Sequence, residues 1–231
     1  MPGVRKTGAM MPHVNLHNLS PTVSTTPEHG AQVYDIYSLL LAKRTVLLAT
    51  SIDDQVARMI VAQLLFLDST DSTREMQLYI NAPGGTATAG LAIYDTLQQL
   101  TAPVRTVATG LTTGVGTLLL AAGNRGRRYA LPHTTIHMQP PPDSAQGQAT
   151  DIMIQAEQIY KLRDRMAELL ARHTGQTLAR IHRDAERGLF LTPAEAVASA
   201  ILILASPGVQ GCPSMPNGLK WPIPISPRRQ R

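Results

Sequence analysis

The chain has 231 residues and a mass of 24.9 kDa, which fits one large domain or one domain with tails. Apolar residues make up 43%, which is enough to build a full core. Charged residues make up only 16%, against about 25% in a typical soluble domain, so part of the surface is expected to be buried against other subunits. No apolar run approaches the ~18 residues of a membrane-spanning helix, and a single cysteine, Cys212, excludes an internal disulfide and a cysteine-rich zinc site. The net charge is +5, but aromatics are only 4% and no basic stripe interleaves with them, so nucleic-acid binding is not expected.

Composition divides the chain into three parts. Residues 1–30 are rich in Pro, Thr, His and Ser without periodicity and are predicted to form a flexible arm, residues 31–206 the folded domain, and residues 207–231 a Pro-rich basic tail. The first residues carry two positive charges but no hydrophobic segment follows, so no secretory signal is expected. Met10 and Met11 are alternatives to Met1 as the start, and the sequence does not decide among them.

Strand and helix patterns alternate along the domain. Short apolar runs predict strands at 45–49, 77–80, 104–109, 127–131 and 134–138. Helical spacing predicts helices at 31–43, 56–67, 87–100, 117–122, 146–173, 178–187 and 193–200. Ser51 or Asp53 is the candidate N-cap of the helix that runs through Val56 to Leu67, and Thr192 is that of the last helix. Such alternation predicts an α/β fold with a mainly parallel sheet.

Two glycine-rich turns, at 84–85 and 110–116, each lie between the end of a predicted strand and the start of a predicted helix. Functional sites of α/β proteins concentrate at such junctions. Backbone N–H groups of the two turns can point at one oxygen and form an oxyanion hole, or the turns serve only close packing. Neither turn has a phosphate-loop pattern.

Long blocks of the sequence resemble one known family. The blocks include LYINAPGGTATAGLAIYDTLQ, LLLAAGNRGRRYALPH and GQATDIMIQAEQIYKLRDRMAELLARHTGQ. Over about residues 31–203 the chain resembles ClpP, the proteolytic subunit of the ATP-dependent Clp protease. The resemblance implies a crotonase-like spiral of repeated ββα units with a protruding helix–strand handle, here helix 146–173. It also implies seven-subunit rings, two of which enclose a chamber.

Active members of that family use a Ser–His–Asp triad, and none of the three positions keeps its residue here. Gly114 stands at the serine and Gly188 at the aspartate. Gln139 stands at the histidine when the spacing is kept, whereas a gapped match places Met138 there. Neither side chain can act as a base, and glycine cannot form an acyl-enzyme.

Side chains near these positions do not restore the triad. Thr112 and Thr113 precede Gly114, but the shift at a turn directs their side chains away, so neither is expected to be a nucleophile. His137 shares a strand face with Gln139 and is interpreted as a hydrogen-bonded structural histidine. Asp184 and Glu186 precede Gly188 and are expected on a solvated face.

Other family positions are retained in part. Gly85 and the backbone N–H of Val115 match the family's oxyanion-hole donors. Tyr79 and Tyr129 resemble two aromatic positions of the pocket that docks the AAA+ unfoldase. Polar Gln77 and Gln99 stand where aromatics are usual, so docking through this chain is expected to be poor.

The resemblance therefore implies a triad-less, ClpR-like subunit that is catalytically inactive by itself. Its expected partners are active ClpP paralogues in a mixed double heptameric ring, an AAA+ unfoldase of the ClpX, ClpA or ClpC type, and unfolded polypeptide. No cofactor or metal is expected, because ATP is used by the unfoldase, and the expected location is the cytoplasm, without a membrane. The alternatives are a crotonase-like acyl-thioester enzyme and a free-standing peptide-binding ring.

Overall fold

Strands and helices alternate through the structure, a computed structural model that describes residues 22–25, 32–140, 149–202 and 204–205. The elements in chain order are β1 (Thr22–Thr25), β2 (Gln32–Asp35), α1 (Ile36–Ala42), β3 (Thr45–Leu48), α2 (Asp54–Thr70), β4 (Met76–Ile80), α3 (Ala87–Gln99), β5 (Val104–Ala108), β6 (Leu111–Thr113), α4 (Val115–Ala121), β7 (Arg128–Ala130), β8 (Thr135–Met138), α5 (Ala149–Thr174), α6 (Leu178–Glu186), β9 (Leu189–Leu191), α7 (Pro193–Ala198) and β10 (Leu204–Ala205). The α/β prediction is confirmed.

A unit of strand, second strand and helix repeats four times. The four first strands, β3, β4, β5 and β7, form a parallel sheet with β10 added at its edge, in the order β10-β7-β5-β4-β3. In the third and fourth units the second strands are β6 and β8, which pair in parallel. In the first two units the second strand is reduced to one parallel bridge between Ile52 and Gly85. This repeat is the ββα spiral that the resemblance implied.

Alternate side chains of the large sheet build the core. In β4 the buried residues Met76, Leu78 and Ile80 alternate with half-buried ones. Helix α2 buries its predicted apolar stripe, and Asp53 caps it by accepting from the Val56 N–H at 2.8 Å. Helix α4 is buried at all seven positions, so it forms the centre of the molecule.

Several segments differ from the sequence predictions, among them the strands β1 and β10, which the sequence did not predict. The helix predicted over 31–43 begins only at Ile36, because the Asp35 carboxylate caps it by accepting from the Tyr37 and Ser38 N–H groups, and Gln32–Asp35 pairs with β1 instead. The turn predicted over 110–116 contains β6. The strand β9 was missed, since it has only three residues between two helices.

The domain boundaries stay predictions. Thr22–Thr25, inside the predicted arm 1–30, forms a strand, whereas the rest of that arm and the tail 207–231 lie outside the described residues. The first three residues of the helix predicted over 146–173 lie outside them as well. No helix in the described ranges is both long and apolar enough to cross a membrane.

Helix α5 extends beyond the core. Its 26 residues span about 39 Å, but its buried side chains occur only in its second half, from Met166 onward. Near its start, Ile152, Met153 and Ile154 are 38%, 73% and 62% exposed. The helix ends at Gly175, whose φ of +71° favours glycine. The first half of α5 therefore projects from the body, as expected for a handle.

The second half of α5 is attached to α3 by a polar pair between the buried Tyr94 and the half-buried His173. The Tyr94 hydroxyl lies 2.8 Å from His173 Nε2, and Arg128 Nη1 donates to the His173 carbonyl oxygen at 3.0 Å. Burial, with the nearby Arg128 and Arg172 cations, lowers the pKa of His173 to about 4. The imidazole is therefore neutral in the folded chain at neutral pH.

This pKa predicts an acid-sensitive contact. An unfolded histidine has a pKa of about 6.5, so the stability that neutral His173 contributes is complete above that pH and is lost as the pH falls toward about 4. Replacing His173→Gln should lower the free energy of unfolding most at about pH 7.5 and progressively less toward about pH 4.5. Urea unfolding at fixed protein concentration measures this, with the exposed His133→Gln as control. A difference that does not vary with pH would contradict the assignment.

Candidate active-site region

The loop after β4 is held against the first unit of the spiral. Ile52 N–H donates to the Gly84 carbonyl oxygen at 2.9 Å, and Thr86 N–H donates to the Ile52 carbonyl oxygen at 2.9 Å. Gly85 has φ +151°, and a Cβ there would overlap the Ile52 backbone. Only glycine fits this position, so the contact positions the Gly85 N–H.

The N-terminus of α4 packs against the same loop. Thr113 N–H donates to the Ala82 carbonyl oxygen at 2.9 Å. Val115 is the first residue of α4, so its N–H has no partner within the helix. Among the described residues, neither the Gly85 nor the Val115 N–H donates to a backbone acceptor. Two backbone donors thus remain available at adjoining turns.

Gly114 and Gln139, two of the predicted triad positions, are brought together. Gly114 has φ +52° and ψ −110°, a conformation that side chains rarely adopt, and its N–H donates to the His137 carbonyl oxygen at 3.1 Å. A Cβ on Gly114 would lie 3.1 Å from the Gln139 backbone oxygen. The position therefore faces the segment after β8 but carries no reactive group.

Gly188, the third position, faces His137 instead. A Cβ on Gly188, whose φ is +60°, would lie 3.3 Å from His137 Nε2. The His137 ring stacks on Phe190, with centroids 3.8 Å apart and planes 6° from parallel. Burial lowers the pKa of His137, and a backbone hydrogen bond with Gly188 opposes this. These contacts support the interpretation of His137 as a structural histidine.

The expected solvated face before Gly188 is wrong for Asp184. Asp184 is only 5% exposed and lies beside β9 and α7, and its carboxylate pairs with Arg187 at 2.8 Å and Arg180 at 3.6 Å. Glu186 is exposed, as predicted. Both Asp184 oxygens are thus engaged by arginines.

A mainly apolar cleft opens beside Gly114. Its walls include Leu118, Met138, Met166 and Ile181, with Gln139 at the same site. Titratable side chains at the cleft are Arg163, His182 and Glu186. Such a lining fits an apolar side chain of a bound polypeptide.

Sequence reasoning missed one hydroxyl at this cleft. Thr117 lies one helical turn after Gly114, and it is the one hydroxyl among the residues that line the cleft. Its Oγ1 is within hydrogen-bonding distance of the Thr112 and His137 carbonyl oxygens, at 3.1 and 3.0 Å. Thr112 and Thr113 are themselves buried. The hydroxyl of Thr117 is therefore committed to structural bonds.

The predicted docking aromatics lie in one row across the large sheet. The register places Tyr79 opposite Val107, and Val107 opposite Tyr129. The Arg105 guanidinium lies 5.3 Å from the centroid of the Tyr129 ring, and its Nη2 lies 2.7 Å from Glu75 Oε1. This charged group, which sequence reasoning missed, sits directly on an aromatic of the expected pocket.

Two further anchors of that surface are polar. Tyr79 donates to Gln77 Oε1 at 3.4 Å, and Gln99 is exposed at the end of α3. Glu75 also pairs with Arg127, so the two arginines share one carboxylate. Polar and charged groups thus lie beside the aromatic row, with Gln77 opposite Arg105 two residues away from Tyr79 and Val107.

Comparison with known families gives one match. The sequence model of the Clp protease family matches residues 28–202, which include every element from β2 to α7. The matched interval contains both glycine turns, the cleft and the aromatic row. Within the described ranges, no group of three or more His, Cys, Asp or Glu could hold a metal ion.

Placing a hydroxyl at position 114 should not create activity. We expect Gly114→Ser to leave peptide hydrolysis at background, because Gln139 supplies no base and the backbone oxygen at 3.1 Å crowds the new Cβ. The strained backbone should also cost about 1–3 kcal/mol of stability. Labelling with a fluorophosphonate and a peptidase assay measure the first expectation, and urea unfolding the second. Gly126→Ser, at another positive-φ loop glycine, is the control; stoichiometric labelling of Gly114→Ser alone would contradict the expectation.

Proposed function

Since this chain belongs to the Clp protease family, we propose that it is a non-catalytic, ClpR-like subunit that assembles with active ClpP-type subunits and modulates their chamber. The single observation that carries the proposal is Gly114, a residue without a side chain at the position that the resemblance aligns with the family's catalytic serine. Loss of one triad member already costs about 10⁴–10⁶ in rate, and here all three aligned positions lack their groups.

What remains at the site supports binding rather than cleavage. The N–H groups of Gly85 and Val115 are available to a peptide carbonyl oxygen, and the cleft beside Gly114 offers an apolar wall. Without a nucleophile, a bound segment of unfolded polypeptide is held and released unchanged. In a mixed chamber such a subunit would lower the number of cutting sites and add a binding site.

Exposed apolar side chains support assembly with other subunits. On α2, Met59, Leu65 and Phe66 are 54%, 52% and 57% exposed. The projecting start of α5 carries a second group, including Met153 and Ile154. Apolar patches of this kind mark protein–protein contacts. Because the matching surfaces of a paralogue share the family fold, active subunits are the proposed partners, in a double heptameric ring.

The aromatic row supports a limited role in unfoldase docking. A desolvated apolar pocket is the usual anchor of such contacts, and the Arg105 cation on Tyr129 opposes desolvation. We therefore place the main docking sites for the AAA+ unfoldase on the active partners. ATP is used by that unfoldase, so the proposed subunit needs no cofactor of its own, and its proposed location is the cytoplasm.

An acyl-thioester enzyme fits the structure less well. Such an enzyme needs cations for the coenzyme A phosphates near the oxyanion donors. The described chain does have a basic pocket, around Arg125 and Arg172, but it borders Gly123 at the far end of α4. That end lies about 10 Å along the helix axis from Val115. The free-standing ring differs from the main proposal only in lacking an active partner.

Mixing this chain with an active subunit should distinguish the proposed non-catalytic subunit from a free-standing ring. The chain alone is expected to be inert toward peptides, and with an intact-triad ClpP-type subunit from the same cell it should enter a common particle of altered activity. Native mass spectrometry and peptide hydrolysis measure both. A matched test replaces the exposed Phe66→Ser, which should reduce mixed assembly, against Leu178→Ser on α6 as control. Peptide cleavage by the pure chain, insensitive to a serine-directed inhibitor, would overturn the triad argument.

The Arg105 contact predicts a gain of docking. Arg105→Leu removes the cation from Tyr129 while Glu75 keeps Arg127 as its partner, so affinity of the mixed particle for the unfoldase should rise by about tenfold. Surface plasmon resonance with immobilised unfoldase measures the change. The exposed Arg58→Leu on α2 is the charge-matched control. Equal affinity of Arg105→Leu and wild type would contradict the role given to this cation.

A further inference from the structure

Three arginines surround a pocket at the C-terminal ends of α4 and α5. We call it the arginine pocket and define it by Arg125, Arg128 and Arg172, with Gln98 and Asn124 beside them. None of the residues that line it is acidic. Three positive charges thus meet in one concavity without a negative one.

The three arginines of the pocket have no carboxylate partner among the described residues. Carboxylates lie within 4 Å of five other arginines, which are Arg105, Arg127, Arg163, Arg180 and Arg187. Arg44 and Arg58 also lack a carboxylate partner in the described part of the chain, but neither lies in a group of arginines that line one pocket. In the described ranges Arg125, Arg128 and Arg172 form no ion pair with a carboxylate. The pocket therefore carries uncompensated charge.

Arg128 is the fixed member of the group. It is 5% exposed, and it donates from Nε to the Gly123 carbonyl oxygen and from Nη1 to the His173 carbonyl oxygen, each at 3.0 Å. These bonds fix the orientation of the guanidinium plane, but they do not neutralise its positive charge. Burial and the nearby Arg125 cation lower the pKa of Arg128, which agrees with a site of concentrated positive potential.

A neutral donor is also held in place. Asn124 Oδ1 accepts from the Val104 N–H, at 2.6 Å, so its amide nitrogen is left as a donor. Arginines at helix C-termini are favoured by the helix dipole, which accounts for Arg172 in the last turn of α5. It does not account for Arg125, which lies beyond the end of α4 and whose side chain forms no hydrogen bond or ion pair within the described ranges.

We propose that the arginine pocket binds an oxyanion of the phosphate class, either inorganic phosphate or the phosphate groups of a nucleotide. Guanidinium groups match phosphate oxygens with paired hydrogen bonds, and a dianion offsets most of the accumulated charge. The bound anion joins the α4–β7 loop to the end of α5 and so stabilises the base of the projecting helix. This inference does not depend on the proposed function.

The test uses the full chain and inorganic phosphate. Isothermal titration at constant ionic strength should show saturable binding to wild type. Arg125→Gln and Arg172→Gln should each weaken it by about tenfold to a hundredfold, the range for one or two hydrogen bonds to a charged group. Both side chains are exposed, so folding should be retained. The control Arg58→Gln makes the same charge change on α2 and should bind like wild type.

Titration with ADP identifies the source of the anion. Tighter binding of ADP than of phosphate, lost in Arg125→Gln and Arg172→Gln, assigns the pocket to a nucleotide, and equal binding assigns it to free phosphate. Three results would overturn the proposal. These are no saturable binding to wild type, an equal loss in Arg58→Gln, and competition by acetate as strong as that by phosphate.

Discussion

Complete burial of α4 is the constraint on which the other features depend. A helix surrounded by core side chains must find partners for the backbone groups at its ends within the protein. At its C-terminal end, Thr106 donates to the Leu120 carbonyl oxygen, and Gln98 donates to that of Ala122. At the opposite end the Val115 N–H is left open toward a cleft. The two candidate sites are therefore the two ends of one helix.

This asymmetry follows from what each end packs against. The N-terminal end meets the glycine loop, whose close contact with Ile52 leaves no space for a side chain at Gly85. The C-terminal end leads to Gly123, and the guanidinium of Arg128, at the start of β7, donates to the carbonyl oxygens of Gly123 and of His173 in α5. Donors without acceptors therefore collect at one end, and cations without carboxylates at the other.

Much of the fold could be predicted because its signals are local. The Asp53 cap, the stop at Gly175 and the capping box of Thr192 with Glu195 are each formed by residues a few positions apart. The three-residue strands β6 and β9 carry no such signal, because their pairing with β8 depends on tertiary contacts. The start of α1 was misplaced since Val33 and Ile36 fit a helical spacing, whereas Asp35 ends the strand and caps the helix.

The candidate site was less predictable, for the same reason. Gly114 could be singled out from its motif, but the stacking of His137 on Phe190 joins residues 53 positions apart. Arg105 reaches Tyr129 across a sheet register that no short motif records. Asp184 was assigned to solvent because the pattern of α6 alone does not show that β9 and α7 lie beside it.

The start of α5 has a consequence for the order of assembly. Ile152, Met153 and Ile154 follow one another at about 100° steps around the helix, so apolar surface extends over more than half of its circumference. No flat surface can cover all three. They are buried only in a groove, or between two surfaces that close from different sides. Where two surfaces are needed, the first partner to bind leaves part of the apolar area of α5 exposed to water. That remaining area raises the affinity of the helix for the second partner, so association through this helix is cooperative.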